Sequence, residues 1–239
     1  MFQTVKDYAA TCPFLESTLQ PEGGSAAPKG MIFHIVGDNA APIQVMDIGF
    51  GTGTLGQMIK DNPTSRHWVV DGLDGFEPNC KNRDLIEKKI YRNIWHGLAQ
   101  DFAPEQWGDY QIICLFDVIE HLDIVAAKSL LRTLLETMGQ QALLLVSTPL
   151  WFYPQDSQQS GDLEEHQIGV PVTSMMALIP TMYAIMHPLV GGFALNKNSL
   201  DYIEFFQPTT DRNFTIEKGL AIIKAVGMQY IPGTLFRVG

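Results

Sequence analysis

Between Ile43 and Pro149 the sequence repeats one pattern five times: a short apolar run, then a segment able to form a helix. The runs are IQVMDIG, RHWVVDGLD, YRNIWHG, YQIICLFD and ALLLVSTP. Runs that stay apolar instead of alternating suit strands covered on both faces, and strands that alternate with helices pair in parallel. The pattern therefore predicts an α/β fold, a mostly parallel sheet with helices on both faces. The clearest crossover is LDIVAAKSLLRTLLETMG, where Ile124, Ala127, Leu131, Leu134 and Leu135 recur at helical spacing and Gly139 stands where a C-cap would.

Around this core, at 239 residues, the chain fits one large domain. Residues 1–42 read as an N-terminal helix, within 1–20, and a Pro/Gly/Ser loop, QPEGGSAAPKG. Residues 43–150 form the core, and after STPL the rhythm breaks for about sixty residues. Residues 151–212 then read as an insertion covering the substrate, and 213–239 as a final helix and strand pair that completes the core. Thr215 and Lys218 bracket that helix start, and MQYIPG and TLFRV are the two short runs.

Within the insertion, Ile168 to Leu195 holds no Asp, Glu, Lys or Arg over a length that could cross a bilayer. Pro171, Pro180, Pro188, His187 and Gly191-Gly192 interrupt it, and no Lys/Arg cluster flanks it, so a lid is expected and no membrane span. Met175, Met176, Met182, Met186 and Tyr183 would make an adaptable wall, although such residues equally build a core or the interface of a homo-oligomer. The balance of 16 Lys+Arg against 26 Asp+Glu leaves a formal charge of -10, which disfavours nucleic acid. Cys12, Cys80 and Cys114 form no C-x-x-C pair, and MFQTVKDYAATCPF lacks the make-up of a secretory signal, so a cytoplasmic protein with reduced thiols is expected.

The chemistry starts at Asp47-Ile48-Gly49-Phe50-Gly51-Thr52-Gly53, a glycine-rich turn between the first strand and TLGQMIK. Glycines there allow positive φ and close approach of backbone to a ligand. Asp47 before the first glycine would organise the loop around a cationic ligand and would repel a pyrophosphate. Asp74 ends the second strand, where a carboxylate can accept the hydroxyls of a ribose in either a nicotinamide or an adenosylmethionine site.

Taken together, DIGFGTGTLG, GLDGFEPN, AQDF and IICLFDVIEHLD resemble the successive cofactor motifs of class I S-adenosylmethionine-dependent methyltransferases, over about residues 43 to 150. The resemblance implies a Rossmann-like fold with a mostly parallel seven-stranded sheet. It also implies that Asp47, Gly49, Gly51 and Gly53 hold the methionine moiety, Asp74 the ribose, and Asp101 with Phe102 the adenine. Phe116 and Asp117 would sit beside the methyl-bearing end, with Phe76 also in the cofactor pocket. Phe50, often a small residue or Cys in this family, would line it.

Asp117, Glu120 and His121 form a D-x-x-E-H cluster just past a strand end, and His166 in LEEHQ could join it. The segment resembles the E-x-x-E-H sequence that binds a divalent metal in ubiquinone-pathway O-methyltransferases and small-RNA 3′-terminal methyltransferases. That resemblance implies a metal holding substrate hydroxyls. The alternatives are His121, Glu120 or His166 as general base or substrate contact, and a plain helix start; a metal is the less favoured reading. The expected reaction is methyl transfer to an oxygen of a small molecule such as a sugar, polyol or apolar metabolite. Two other classes stay open: a nicotinamide-dependent oxidoreductase, since GTGTLG fits G-x-G-x-x-G, and a binding-only assembly protein.

Overall fold

The computed structural model describes residues 26–36, 41–157 and 159–238; the helix expected within 1–20 lies outside them. Five parallel strands follow the five apolar runs: β1 (Gln44–Ile48), β2 (Val69–Asp74), β3 (Ile94–His96), β4 (Ile112–Phe116) and β5 (Leu143–Pro149). Every residue of β4 is buried, the signature of a strand covered on both faces. The sheet continues through β6 (Met182–Met186), β7 (Val190–Leu195) and β8 (Leu235–Arg237) in the order β3-β2-β1-β4-β5-β7-β6-β8. It thus has eight strands where seven were expected. The additional edge strand is β8, and β7 runs antiparallel to both its neighbours.

The helices are α1 (Ala26–Lys29), α2 (Met31–Val36), α3 (Thr54–Asp61), α4 (Glu77–Cys80), α5 (Arg83–Glu87), α6 (Ile124–Thr137), α7 (Val172–Met176) and α8 (Ile216–Ala225). For α6 the local causes are plain. Asp123 caps it, its side chain accepting from the Ala126 N–H at 2.8 Å, and Ala127, Leu130, Leu131, Leu134 and Leu135 bury one face. The helix ends one residue earlier than the glycine signal suggests. Met138, in extended backbone, donates its N–H to Leu134 O, and Gly139 keeps an ordinary φ. In α8 the Thr215 side chain accepts from the Lys218 N–H, as the bracketing of these two residues predicts.

Three expectations change. Much of the charge-free stretch is interior sheet, the strands β6 and β7: β7 pairs with β5 and β6, all six of its residues are buried, and Met175 and Met186 belong to the core. A hairpin embedded between β5 and β8 has no solvated face to carry charge, which accounts for the composition without a lid or a membrane. Among the described residues no helix is long and apolar enough to cross a membrane. The run MQYIPG forms no strand, so only β8 follows α8, and Pro232 supplies no N–H to a ladder. Finally, residues 26–36, partly assigned to a loop, are helical because Ala27 and Met31 bury themselves against Ala184, Met186, Val190 and Leu235. Gly192 makes room for this packing, since a Cβ there would lie 2.2 Å from Met31 Sδ.

Candidate active site

The C-terminal ends of β1, β2 and β4 open into a cavity of about 650 Å³, a size suited to a cofactor and a small acceptor together. Its floor is the turn after β1. Gly49, Gly51 and Gly53 adopt φ of 68°, 56° and 83°, the left-handed region open to glycine, and a Cβ on Gly53 would strike Leu85 at 2.4 Å. Gly49, Phe50 and Gly51 line the cavity, while Gly53 lies behind them as the N-cap of α3.

Asp74 ties this turn to the next. Its carboxylate accepts from the Gly51 N–H and the Phe76 N–H, each at 2.8 Å, and from Asn79 Nδ2 at 3.3 Å. Asp74, Phe76 and Asn79 all line the cavity. A carboxylate held this rigidly on a cavity wall has lone pairs directed at fixed positions, the property a ribose diol needs.

Asp47 is placed differently from the expectation of direct ligand contact. It is buried beneath the turn, outside the cavity lining, and accepts from Tyr91 Oη at 2.8 Å. Burial pushes its carboxyl up to about 6, against the lowering effects of the Tyr91 hydrogen bond and of Lys29. Asp101 and Phe102 also miss the cavity: Asp101 is exposed in the 3-10 turn Ala99–Asp101, and Phe102 packs between Trp95 and Trp107 at ring distances of 5.2 and 4.6 Å. Their neighbours Leu98, Ala99 and Gln100 form that wall instead.

At the end of β4 the chain turns through Asp117 with φ 58°, an uncommon conformation for a residue with a Cβ. The turn is held by the Asp117 N–H donating to Ser147 O at 3.1 Å and by Ser147 Oγ donating to Asp117 Oδ1 at 2.8 Å. On the other side stands Lys29, a residue with no sequence motif to mark it. Its ammonium is buried 3.4 Å from Asp117 Oδ2 and 5.6 Å from the centre of the Phe116 ring. Lys29 is also the only lysine or arginine among the described residues lining the cavity.

Beyond Asp117, the turn Ile119–His121 meets the segment 151–168. Glu120, His121 and His166 each bring a ligand atom to within 4.8 Å of the other two. The imidazoles lie edge to face, 4.6 Å between centres. His121 Nδ1 is 3.3 Å from Glu165 O and His166 Nδ1 is 2.8 Å from Tyr153 O. A carbonyl only accepts, so each Nδ1 carries the proton and each Nε2 keeps a lone pair. Burial lowers both histidines' pKa, that of His166 to about 4, so both are neutral at pH 7. Glu120 is buried with no partner for Oε2, and burial followed by the Asp117 charge raises its pKa well above the carboxylate range. Two imidazole nitrogens and one carboxylate oxygen at this spacing suit either proton transfer or a divalent cation. Trp151 and Tyr153, in T-shaped contact at 5.2 Å, also line this end.

The family model described as "Methyltransferase domain" matches residues 29–175, more than half of the chain. No curated protein matches the chain in sequence. Among solved structures, the YcgJ protein of Bacillus subtilis is similar at 19% identity and TM-score 0.42, over 54% of this chain and 52% of that one. PKMT2 of Rickettsia typhi, in complex with AdoHcy, is similar at 19% identity and TM-score 0.37, over 44% of this chain and 20% of that one. DesVI of Streptomyces venezuelae gives 15% identity and TM-score 0.42, over 57% and 55%. The chain thus spans about half or less of these proteins. With the family match over residues 29–175, the glycine turn after β1 and the Asp74 carboxylate beside it, the chain belongs to the methyltransferase-domain family, as an S-adenosylmethionine-dependent class I member.

Proposed function

We propose that the protein methylates an oxygen of a small-molecule acceptor seated against Glu120, His121 and His166. The observation that carries this reading is that these three side chains share one cavity with the glycine turn and Asp74, and that both imidazoles present an Nε2 lone pair. When bound, S-adenosylmethionine supplies an electrophilic methyl and a sulfide leaving group.

The chain's own residues divide the remaining work. Asp74 accepts the ribose hydroxyls while its bonds to Gly51 and Phe76 hold the turn. Leu98, Ala99 and Gln100 replace Asp101 and Phe102 as the adenine wall. Lys29 meets the carboxylate of the methionine end, and the buried Asp47 favours its cationic groups through the field. Phe116 and Asp117 border the methyl-bearing end. His121 or His166 takes the acceptor's proton through Nε2 as the oxygen attacks, and Trp151 with Tyr153 holds the acceptor in line and excludes water. Glu120, His121 and His166 also fit a divalent cation, because Nδ1–H bonds to carbonyls are the arrangement that orients metal-ligating histidines. Such a cation would lower the pKa of an acceptor hydroxyl.

The acidic balance of the chain, and a cavity whose single lining lysine or arginine among the described residues, Lys29, is already paired with Asp117, favour a neutral, small acceptor over nucleic acid, and a cytoplasmic setting accords with its thiols. Calorimetric titration with S-adenosylmethionine, S-adenosylhomocysteine and NAD, with and without magnesium, tests the cofactor. Binding of the first two and not of NAD is expected, and NAD binding alone would overturn the reading. A screen of hydroxyl, amine and thiol compounds for S-adenosylhomocysteine release then tests the acceptor, and turnover restricted to amines or thiols would remove the oxygen assignment.

A further inference from the structure

A second cleft, of about 670 Å³, lies at the opposite, N-terminal ends of β2 and β3. Its lining combines Lys60, His67, Lys89 and Arg92 with Trp68, Tyr91 and the aliphatic side chains Val69, Val70, Ile86 and Ile94. No carboxylate lines it among the described residues, although the chain as a whole carries a charge of -10. Three cationic side chains thus share one cleft with no carboxylate in its lining, a local positive field set in an acidic chain that would attract an anion.

Two of the three cations are held in place. Arg92 donates from Nε to Asp71 Oδ1 at 3.0 Å and from a second N–H to Oδ2, leaving its other N–H groups unused by that carboxylate, and its side chain is 47% exposed. Asp71 lies fully buried behind it, where it also accepts from Asn93 and Tyr110, and balances one of the three charges. Lys60 Nζ donates to Trp68 O at 2.9 Å and is half-buried, with its pKa lowered by that burial. Lys89 is exposed and makes no ion pair among the described residues. In the wall, Trp68 Nε1 is buried without a hydrogen-bond partner. The cleft therefore offers donors and positive charge beside an apolar surface, the complement of an oxyanion carried on an organic body.

We propose that this cleft is a second ligand site, for a small organic molecule bearing a phosphate group. The phosphate engages Lys60, Lys89 and Arg92, and the organic body covers Ile86, Ile94 and Val69. The assignment does not depend on which acceptor the enzyme methylates.

The test uses the full chain saturated with S-adenosylhomocysteine, so that the cofactor cavity is filled, and calorimetric titration with phenyl phosphate, inorganic phosphate and phenol at matched ionic strength. Phenyl phosphate should bind at least tenfold more tightly than either fragment. Lys60→Gln combined with Lys89→Glu should weaken it at least tenfold, whereas Lys224→Glu, a charge reversal on the exposed end of α8, should not. Thermal unfolding of the double variant close to that of the parent excludes misfolding as the cause, and Lys89→Glu alone, at an exposed position, is the second variant if it does not. Phenyl phosphate binding that S-adenosylhomocysteine displaces, that survives both lysine substitutions, or that does not exceed inorganic phosphate would overturn the proposal. So would a single-stranded oligonucleotide that binds more tightly than phenyl phosphate and is lost in the same variants.

Discussion

Replacing Asp47 with asparagine should make the ligand-free protein more stable at neutral pH and leave it nearly unchanged at pH 4. The folded chain raises this carboxyl from the usual 3.8 to about 6, chiefly by burial. Between those values the folded state holds a proton that the unfolded chain releases, so stability is fully present below 3.8 and falls as pH rises toward 6. At ~1.4 kcal/mol per pH unit, the loss above pH 6 reaches about 3 kcal/mol. Asparagine cannot ionise, keeps an oxygen for Tyr91 Oη, and escapes that loss. The attraction of Lys29 for the carboxylate also disappears, which makes about 3 kcal/mol an upper bound and 1–3 kcal/mol roughly the expected range. Urea denaturation midpoints of parent and variant from pH 4 to 8 measure the difference directly. The two curves should meet near pH 4 and separate up to pH 6, with the variant above. Parallel curves, or a variant less stable at pH 7, would refute the account of Asp47 as a carboxylate charged at a cost. The variant should also bind S-adenosylmethionine more weakly, because that cost is what the cationic cofactor relieves.

Three further outcomes test the site. Asp74→Asn should weaken S-adenosylhomocysteine at least tenfold, roughly 1.4 kcal/mol, because one of the two accepting oxygens becomes an amide donor and the charge is lost; unchanged affinity in titration would remove the ribose assignment. Lys29→Met should weaken S-adenosylhomocysteine about tenfold yet leave an analogue lacking the carboxylate nearly unaffected, and equal losses for both would show that Lys29 only supports packing. If Glu120, His121 and His166 hold a cation, manganese should raise the melting temperature of the parent and not that of His166→Ala, and identical responses in both proteins would leave the histidines as proton acceptors alone.

The division between local and long-range information follows from where each residue's constraints arise. The five parallel strands, α6 and the turn after β1 were legible because their causes are local: unbroken apolar runs, an Asp cap with helical leucine spacing, and glycines at positive φ. The same holds for Asp74 and for the D-x-x-E-H segment, which sit at strand ends where an α/β sheet always places its site. His166 in LEEHQ was legible as a candidate member of that cluster, but the carbonyls that orient the two imidazoles were not: the segment 151–168 has no periodicity of its own, and Tyr153 and Glu165 reach the histidines only because the chain folds back over the end of β4.

Burial and pairing across long sequence separations were decided by the tertiary structure alone. Lys29 lies in a Pro/Gly/Ser-rich stretch and becomes a buried cation beside Asp117, 88 residues away, because Ala27 and Met31 dock on the hairpin of β6 and β7. The charge-free stretch before Leu195 reads equally as lid, interface or core, and only its pairing with β5 selects core. Asp101 and Phe102 matched a motif but turned away from the cavity, since Phe102 gains more from Trp95 and Trp107 than a solvent-facing cavity wall offers. Local sequence determined which segments become strands, turns and caps, because backbone conformation is governed by neighbours along the chain. Which side chains share the cavity, and with what charge, was decided by packing between distant segments, because desolvation and hydrogen bonding depend on what lies within a few ångströms in space.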